Sequence, residues 1–253
     1  MSMSTGERLL TIHCGGPEPI VPIADSMPPK GAKGIVLHFA KLAPHRDHIP
    51  AYRASLDPVE MERAARFRFD VDRERFIIAH GLLRKLLADH LDARPADLRF
   101  DRGPYGKPFI KGVDLRFNLS DTKDALVVAI GGEVEIGVDV ETMARTVDHM
   151  AVGEHYFTPE EVEVIASAPE PKRRFLEYWT RKEAVLKASG VGIMDDLRVL
   201  RVDGAVNRMT IRHEAFVRHA AEVYHLHTWH MGAEHILSVA TEIAFGEVAI
   251  HEV

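Results

Sequence analysis

The apolar run GIVLHFAKL (34–42) predicts a buried strand. Before it, Pro17, Pro19, Pro22, Pro28 and Pro29 interleave with Gly15, Gly16 and Gly31, so residues 1–33 are expected to form a loose arm. Asp57-Pro58 places an N-cap ahead of a first-turn proline and predicts a short helix reaching about Phe69. A second helix is expected from about Asp72, because Phe76, Leu83, Leu87 and Leu91 line one face, and Arg94-Pro95 ends it. DLRFD (97–101) and RFNL (116–119) predict strands around the turn-rich RGPYGKP (102–108). ALVVAI (125–130), Gly131-Gly132 and EVEIGVDVE (133–141) predict a hairpin.

A second round of the same kind follows. Thr158-Pro159-Glu160-Glu161 has the capping-box pattern, and a longer helix is expected from about Lys172 to Ala188, ending before Gly190. LRVLRV (197–202), MTIR (209–212), EVYHLHTW (222–229) and HILSVATEI (235–243) predict strands, with turns at Asp203-Gly204 and Met231-Gly232. Each round runs from a capped proline to an Arg-Phe pair, 18 residues on in the first (Pro58 to Phe76) and 16 in the second (Pro159 to Phe175). The expected fold is therefore α+β with two pseudo-symmetric halves, each a small, mostly antiparallel sheet packed with helices. The arm would occupy 1–33, the N-terminal half 34–130 and the C-terminal half 131–253, with a site at the seam between the halves.

Composition narrows the function classes. A formal net charge of −6 argues against a dedicated nucleic-acid binder. The sequence has no run near the roughly 18 apolar residues that a membrane helix needs. The N-terminal residues lack a charged-then-apolar export pattern. Cys14 is the single cysteine, so no internal disulfide can form, and a reducing, cytoplasmic location is expected.

Candidate chemistry concentrates in two segments. In Gly137-Val138-Asp139-Val140-Glu141, strand alternation puts Asp139 and Glu141 on one face. Paired carboxylates repel unless a cation lies between them or water screens them, and oxygen-only donors suit a hard ion such as Mg²⁺. A solvated strand end is the other reading of such a pair. In WTRKEAVLK (179–187), Glu183 and Lys187 are four apart on one helix face, beside the apolar stripe of Phe175, Leu176, Trp179 and Leu186. Together, three carboxylates and a lysine are the parts of metal-assisted phosphoryl chemistry. His225, His227 and His230 invite comparison with a metal cluster but also suit a polar strand face. Cys14 has no paired base, and no P-loop or GxGxxG is present.

GVDVE followed about 40 residues later by WTRKEAVLK resembles the signature pair of the 4′-phosphopantetheinyl transferase superfamily, in its longer two-half form of the surfactin-synthetase-activating type. Tyr105-Gly106-Lys107-Pro108 and Phe117-Asn118-Leu119-Ser120 match further family landmarks, and the resemblance spans roughly 34–245. It implies transfer of the phosphopantetheine arm of coenzyme A to a serine of an apo acyl or peptidyl carrier protein, with release of adenosine 3′,5′-bisphosphate, by a monomer. It also implies that Asp139, Glu141 and Glu183 hold Mg²⁺, with Mn²⁺ as an alternative. Glu183 would accept the serine proton and Lys187 would stabilise phosphate charge. Arg63, Arg66, Arg75, Lys107 and Ser120 would bind the coenzyme A phosphates. Asp121 stands where many members have histidine, and a carboxylate there needs a metal, a proton or Arg102 beside it. Carrier proteins of this kind are acidic, so docking would use a local basic or apolar patch rather than overall charge. Two rival readings use the same residues: a Mg²⁺-dependent phosphohydrolase acting on coenzyme A, and a non-catalytic carrier-binding module.

Overall fold

The structure is a computed structural model that describes residues 6–24, 34–192, 196–244, 246 and 248–253. In chain order the first elements are β1 (Arg8–Ile20), β2 (Ile23–Ala24), β3 (Val36–Lys41), α1 (Ile49–Ser55), α2 (Pro58–Ala65) and α3 (Asp70–Leu91). Next come β4 (Phe100–Arg102), β5 (Pro108–Ile110), β6 (Arg116–Asp121), β7 (Ala125–Gly132) and β8 (Ile136–Thr142). The chain continues through α4 (His149–Tyr156), α5 (Pro159–Ser167), α6 (Pro171–Ser189), β9 (Val206–Ile211), α7 (Glu214–His219), β10 (Val223–Met231), β11 (His235–Thr241) and β12 (Ile250–Glu252). Two five-stranded sheets result, in the orders β8-β11-β10-β1-β9 and β2-β12-β3-β7-β6. The fold is α+β.

Both halves repeat one local plan. In each, a first strand pairs antiparallel with the last, and the last with the middle one: β3-β7-β6 and β8-β11-β10. Between them a short helix with a complete capping box (Asp57/Glu60 in α2, Thr158/Glu161 in α5) leads to a long helix. Each capping-box glutamate also meets a buried cation on that long helix. Glu60 accepts from Arg84 at 2.6 Å, and Glu161 accepts from Lys182 at 2.6 Å. Removing Lys182 would cost the buried Glu161 its ion pair, whereas Glu60 without Arg84 would keep His80 at 3.0 Å.

Three apolar clusters stack these elements. Ile78 and Leu82 of α3 pack on Val128 and Ile130 of one sheet. Phe39 and Val127 meet Val138 and Val239 between the two sheets. Phe175 and Leu186 of α6 cover Ile12 and Ile236 of the other sheet. Among the described residues no helix is long and apolar enough to cross a membrane.

Four expectations change. Residues 8–20 are not a loose arm: Leu10 and Ile12 are buried, Thr11 between them is only half-buried and Leu9 before them is 61% exposed, and this alternation seats β1 between β10 and β9. Pro17 falls where the β1–β10 register breaks between Gly15 and Glu18, so it interrupts no ladder bond. Residues 1–5 and 25–33 of that expected arm lie outside the described residues. The half boundaries are also crossed twice, because β1 joins the sheet of the C-terminal half and β12 joins that of the N-terminal half. Third, ALVVAI and EVEIGVDVE do not form a hairpin. β7 and β8 belong to different sheets and face each other across the shared core, which is why both are buried along their length. Finally, LRVLRV opens with a 3-10 turn at Leu197–Val199 instead of a strand.

Candidate active site

The two sheets meet where β6 and β8 run side by side, and side chains replace the missing ladder bonds. Asn118 Oδ1 accepts the Val138 N–H at 3.0 Å, and Ser120 Oγ accepts the Val140 N–H at 3.3 Å. These bonds satisfy two edge amides that would otherwise be buried without partners. Asp139 and Glu141 project from the other face of β8 to Val138 and Val140, toward α6.

Gly137 sets how close α6 comes. A Cβ there would lie 2.1 Å from the Ala184 carbonyl oxygen and 2.2 Å from the Ala188 N, both backbone atoms, so only glycine admits the helix. α6 ends at Gly190, whose φ of 69° suits a left-handed cap. Its close approach brings Glu183 and Lys187 over the strand.

Lys187 Nζ donates to Asp139 Oδ1 at 2.7 Å and to Ser120 Oγ at 2.9 Å, while Ser120 donates to Asp139 Oδ1 at 2.7 Å. Asp139 Oδ2 is buried and has no hydrogen-bond partner. Glu141 accepts from Thr122 Oγ1 at 3.3 Å through one oxygen and is paired with Arg145 through the other. Three carboxylates thus face two cations, Lys187 and Arg145.

Burial, then the charge of Asp139, pushes the Glu141 carboxyl up to about 7 against the pull of Arg145 and Thr122. Burial and Asp139 likewise push Glu183 up to about 7, opposed by Lys187. Among the described residues no three His, Cys, Asp or Glu side chains stand preassembled as a metal-ligand set. Asp139 and Glu141 are instead held by Lys187 and Arg145. The donor chemistry still fits a hard divalent cation: all donors are oxygens, the local charge is net negative, and one buried carboxylate oxygen lacks a partner.

A stability signature follows from these carboxyls. A raised carboxyl binds a proton in the folded state that the unfolded chain has already released. The contribution of Glu141 is therefore present below 4.5 and lost as pH rises through about 7. Buried His38, lowered to about 4, acts in the opposite direction between 4 and 6.5, so the difference between wild type and Glu141→Gln isolates the carboxyl. Cation-free wild type should lose about 1–3 kcal/mol relative to Glu141→Gln between pH 5 and pH 8 in urea denaturation. A difference that stays flat with pH would contradict this account.

Beside the carboxylates lies a cavity of about 440 Å³ lined by Arg63, His80, Arg102, Asn118 and Asp121, among others. Arg63 faces it, with its guanidinium 5.2 Å from the Phe76 ring centre. Asp121 is paired with Arg75 at 3.0 Å rather than with Arg102, and Arg75 also holds Asp72 at 3.0 Å. Arg102 instead donates to the Gly106 carbonyl at 2.8 Å. Burial raises the Asp121 carboxyl against the pull of Arg75 and Lys187.

Arg66 is exposed, bound to Glu62 at 2.5 Å, and does not line this cavity. Lys107 is placed elsewhere too. Its ammonium donates to Glu135 at 2.6 Å and to the carbonyls of Ile136 (3.0 Å) and Ala188 (3.3 Å), beside a second cavity of about 280 Å³. There it caps the C-terminal end of α6.

The structure adds His80, Thr122 and Arg145 to the neighbourhood. His80 bonds Glu60 at 3.0 Å and stacks on Phe76 at 4.0 Å. Its four-residue helical spacing from Phe76 is readable in the sequence, whereas Arg145 lies just past a strand end with no periodic signal. The histidine trio divides: His230 bonds Glu177 at 2.8 Å, His227 pairs with Glu18 at 2.7 Å, and His225 stacks on His13 at 4.9 Å. Burial pushes the Cys14 thiol up to about 11, which leaves it a poor nucleophile.

Residues 135–240 match the family profile described as the 4′-phosphopantetheinyl transferase superfamily, and residues 40–133 match one described as 4′-phosphopantetheinyl transferase, N-terminal. The 4′-phosphopantetheinyl transferase HetI of Nostoc sp. is 36% identical over 146 residues, covering 55% of this chain and 62% of the relative. A phosphopantetheinyl transferase of Thraustochytrium sp. is 33% identical over 183 residues, covering 66% of this chain and 63% of the relative. The chain thus spans just under two thirds of the length of these two. A 4′-phosphopantetheinyl transferase of Bacillus subtilis is 30% identical over 162 residues, covering 61% of this chain and 70% of the relative. With both profiles matched in tandem and the carboxylate–lysine cluster formed between β8 and α6, the chain belongs to the 4′-phosphopantetheinyl transferase superfamily, in its two-half form.

Proposed function

We propose that this protein is a cytoplasmic, monomeric transferase that moves the 4′-phosphopantetheine arm of coenzyme A onto a serine of an apo acyl or peptidyl carrier protein. The observation that carries the reading is the convergence of Asp139, Glu141, Glu183 and Lys187 beside a cleft edged by Arg63, Arg75 and Asp121. In this reading Asp139, Glu141 and Glu183 hold Mg²⁺, which when bound neutralises charge on the pyrophosphate. Mn²⁺ would serve the same donors.

The remaining steps belong to the chain. Lys187, anchored by Asp139 and Ser120, presents its charge to the phosphate oxygens as the leaving group departs. Glu183 accepts the proton of the attacking serine, and a carboxyl raised to about 7 suits a base working near neutral pH. The serine oxygen bonds to the phosphorus bearing the pantetheine arm, the pyrophosphate P–O bond breaks, and adenosine 3′,5′-bisphosphate leaves with the bond electrons. In this reading Arg63 and Arg75 would bind cofactor phosphate, Arg75 through a guanidinium it shares with Asp121.

Intact-protein mass spectrometry of an apo carrier incubated with this chain, coenzyme A and Mg²⁺ tests the proposal. The expected result is a gain of one phosphopantetheine arm, abolished by EDTA. Release of adenosine 3′,5′-bisphosphate without a carrier would make the protein a hydrolase. Carrier binding with no mass gain would make it a binding module.

A further inference from the structure

Arg145 lies outside both signature segments, yet it occupies the carboxylate site. It follows the end of β8, where the Arg145 N–H donates to the Thr142 carbonyl at 3.0 Å and the Ala144 N–H donates to Thr142 Oγ1 at 3.2 Å. This tight turn folds the chain back so that a residue four beyond Glu141 returns to it. The guanidinium pairs with Glu141 and lies 5.5 Å from the ring centre of Trp179, one turn before Glu183 on α6. Trp179 is itself held by stacking on Phe175 at 5.9 Å and edge-on against Tyr156 at 5.7 Å.

The two cations of the site differ. Lys187 is bound to one oxygen of Asp139 and leaves the other buried and unpartnered. Glu141 has both oxygens engaged, one by Thr122 and one by Arg145. An incoming divalent ion can therefore meet Asp139 directly, but at Glu141 it must compete with a positive charge already in place. The Trp179 face offers a guanidinium a second seat, since cation–π attraction survives when the carboxylate is lost.

We propose that Arg145 is a built-in counter-cation of the carboxylate site, one that holds Glu141 until a divalent ion claims it and so sets the ion affinity. This rests on the cation reading of Asp139, Glu141 and Glu183 given above. A purely structural ion pair and a competing one differ in sign. If Arg145 only braces Glu141, its removal loosens the site and weakens ion binding. If it competes, its removal tightens binding.

The test is titration of the full-length, EDTA-treated and desalted chain with Mn²⁺ at pH 8, reading free Mn²⁺ by electron paramagnetic resonance. Arg145→Gln should bind Mn²⁺ about tenfold more tightly than wild type, and Arg145→Lys, which keeps the charge, should stay within about threefold of wild type. A second measurement needs no variant fold beyond the assignment: the Arg145 Nε–H NMR signal of wild type should shift on adding Mg²⁺. Equal or weaker Mn²⁺ binding by Arg145→Gln, or equal tightening by Gln and Lys, overturns the proposal, as does an Nε–H signal indifferent to Mg²⁺. If neither wild type nor Arg145→Gln binds Mn²⁺, the cation reading itself falls and the proposal falls with it.

Discussion

Asp139→Asn will lower carrier modification by about 10³-fold or more while leaving the fold intact. The substitution keeps the shape of the side chain and an oxygen for Ser120 and Lys187, so packing on β8 is preserved. What it removes is a charge. Asp139 is the second-largest cause, after burial, of the raised carboxyls of both Glu141 and Glu183. Carboxyl NMR should therefore show both groups titrating at lower pH in the variant. The cation-free variant should be as stable as wild type or more so, because like charge has been taken out of a confined space. Kinetic assay, NMR titration and denaturation of one variant separate these effects. Near-normal transfer by a folded Asp139→Asn protein would contradict the proposed mechanism.

Gly137→Ala will be comparably damaging for a different reason. The added methyl would press on Ala184 O and Ala188 N, backbone atoms of α6 that no rotamer change can move aside. Either β8 or the helix must shift, at a cost of about 1–3 kcal/mol or more. At about 2–4 °C per kcal/mol for a chain of this size, a melting temperature lower by about 5–10 °C is expected. Displacement of α6 also carries Glu183 and Lys187 away from Asp139, and misplacement by about 1 Å can cost about 10²-fold in rate. Gly153→Ala is the control, since a methyl there meets Phe157 at an ordinary 3.6 Å. Equal behaviour of the two alanine variants would remove close helix approach as the role of Gly137.

The helices were largely legible because their signals are local. The capping box at Thr158 and the N-cap at Asp57 form as expected, the latter closed into a second box by Glu60, and α3 and α6 end within a few residues of the expected positions. The side-by-side placement of Asp139 and Glu141 needed only strand alternation. What could not be read depends on distant partners. RLLTIHC stands next to a Pro/Gly-rich stretch that reads as a loose arm, and the flanking strands β9 and β10 make it a strand. The gap between ALVVAI and EVEIGVDVE looks like a hairpin turn, but the burial of both faces, which sends the strands to separate sheets, is a tertiary fact. For Asp121 the sequence offers a metal, a proton or Arg102 as the neighbour, whereas α3 supplies Arg75 from 46 positions away in sequence. The role of Lys107 was likewise set by where the end of α6 falls.

β1, from ahead of the N-terminal half, completes the sheet of the C-terminal half, and β12, at the end of the C-terminal half, completes the other sheet. Neither half can then melt without stripping a strand from its neighbour, so the two share one cooperative transition instead of unfolding in sequence. Cleaving the chain between them would separate neither, because each piece would still carry a strand of the other's sheet. The same interlock should resist a hinge. The walls of the cleft beside Asp139 should then keep nearly fixed spacing, and a carrier docked as proposed would be accommodated by side chains and loops at its rim rather than by opening of the two halves.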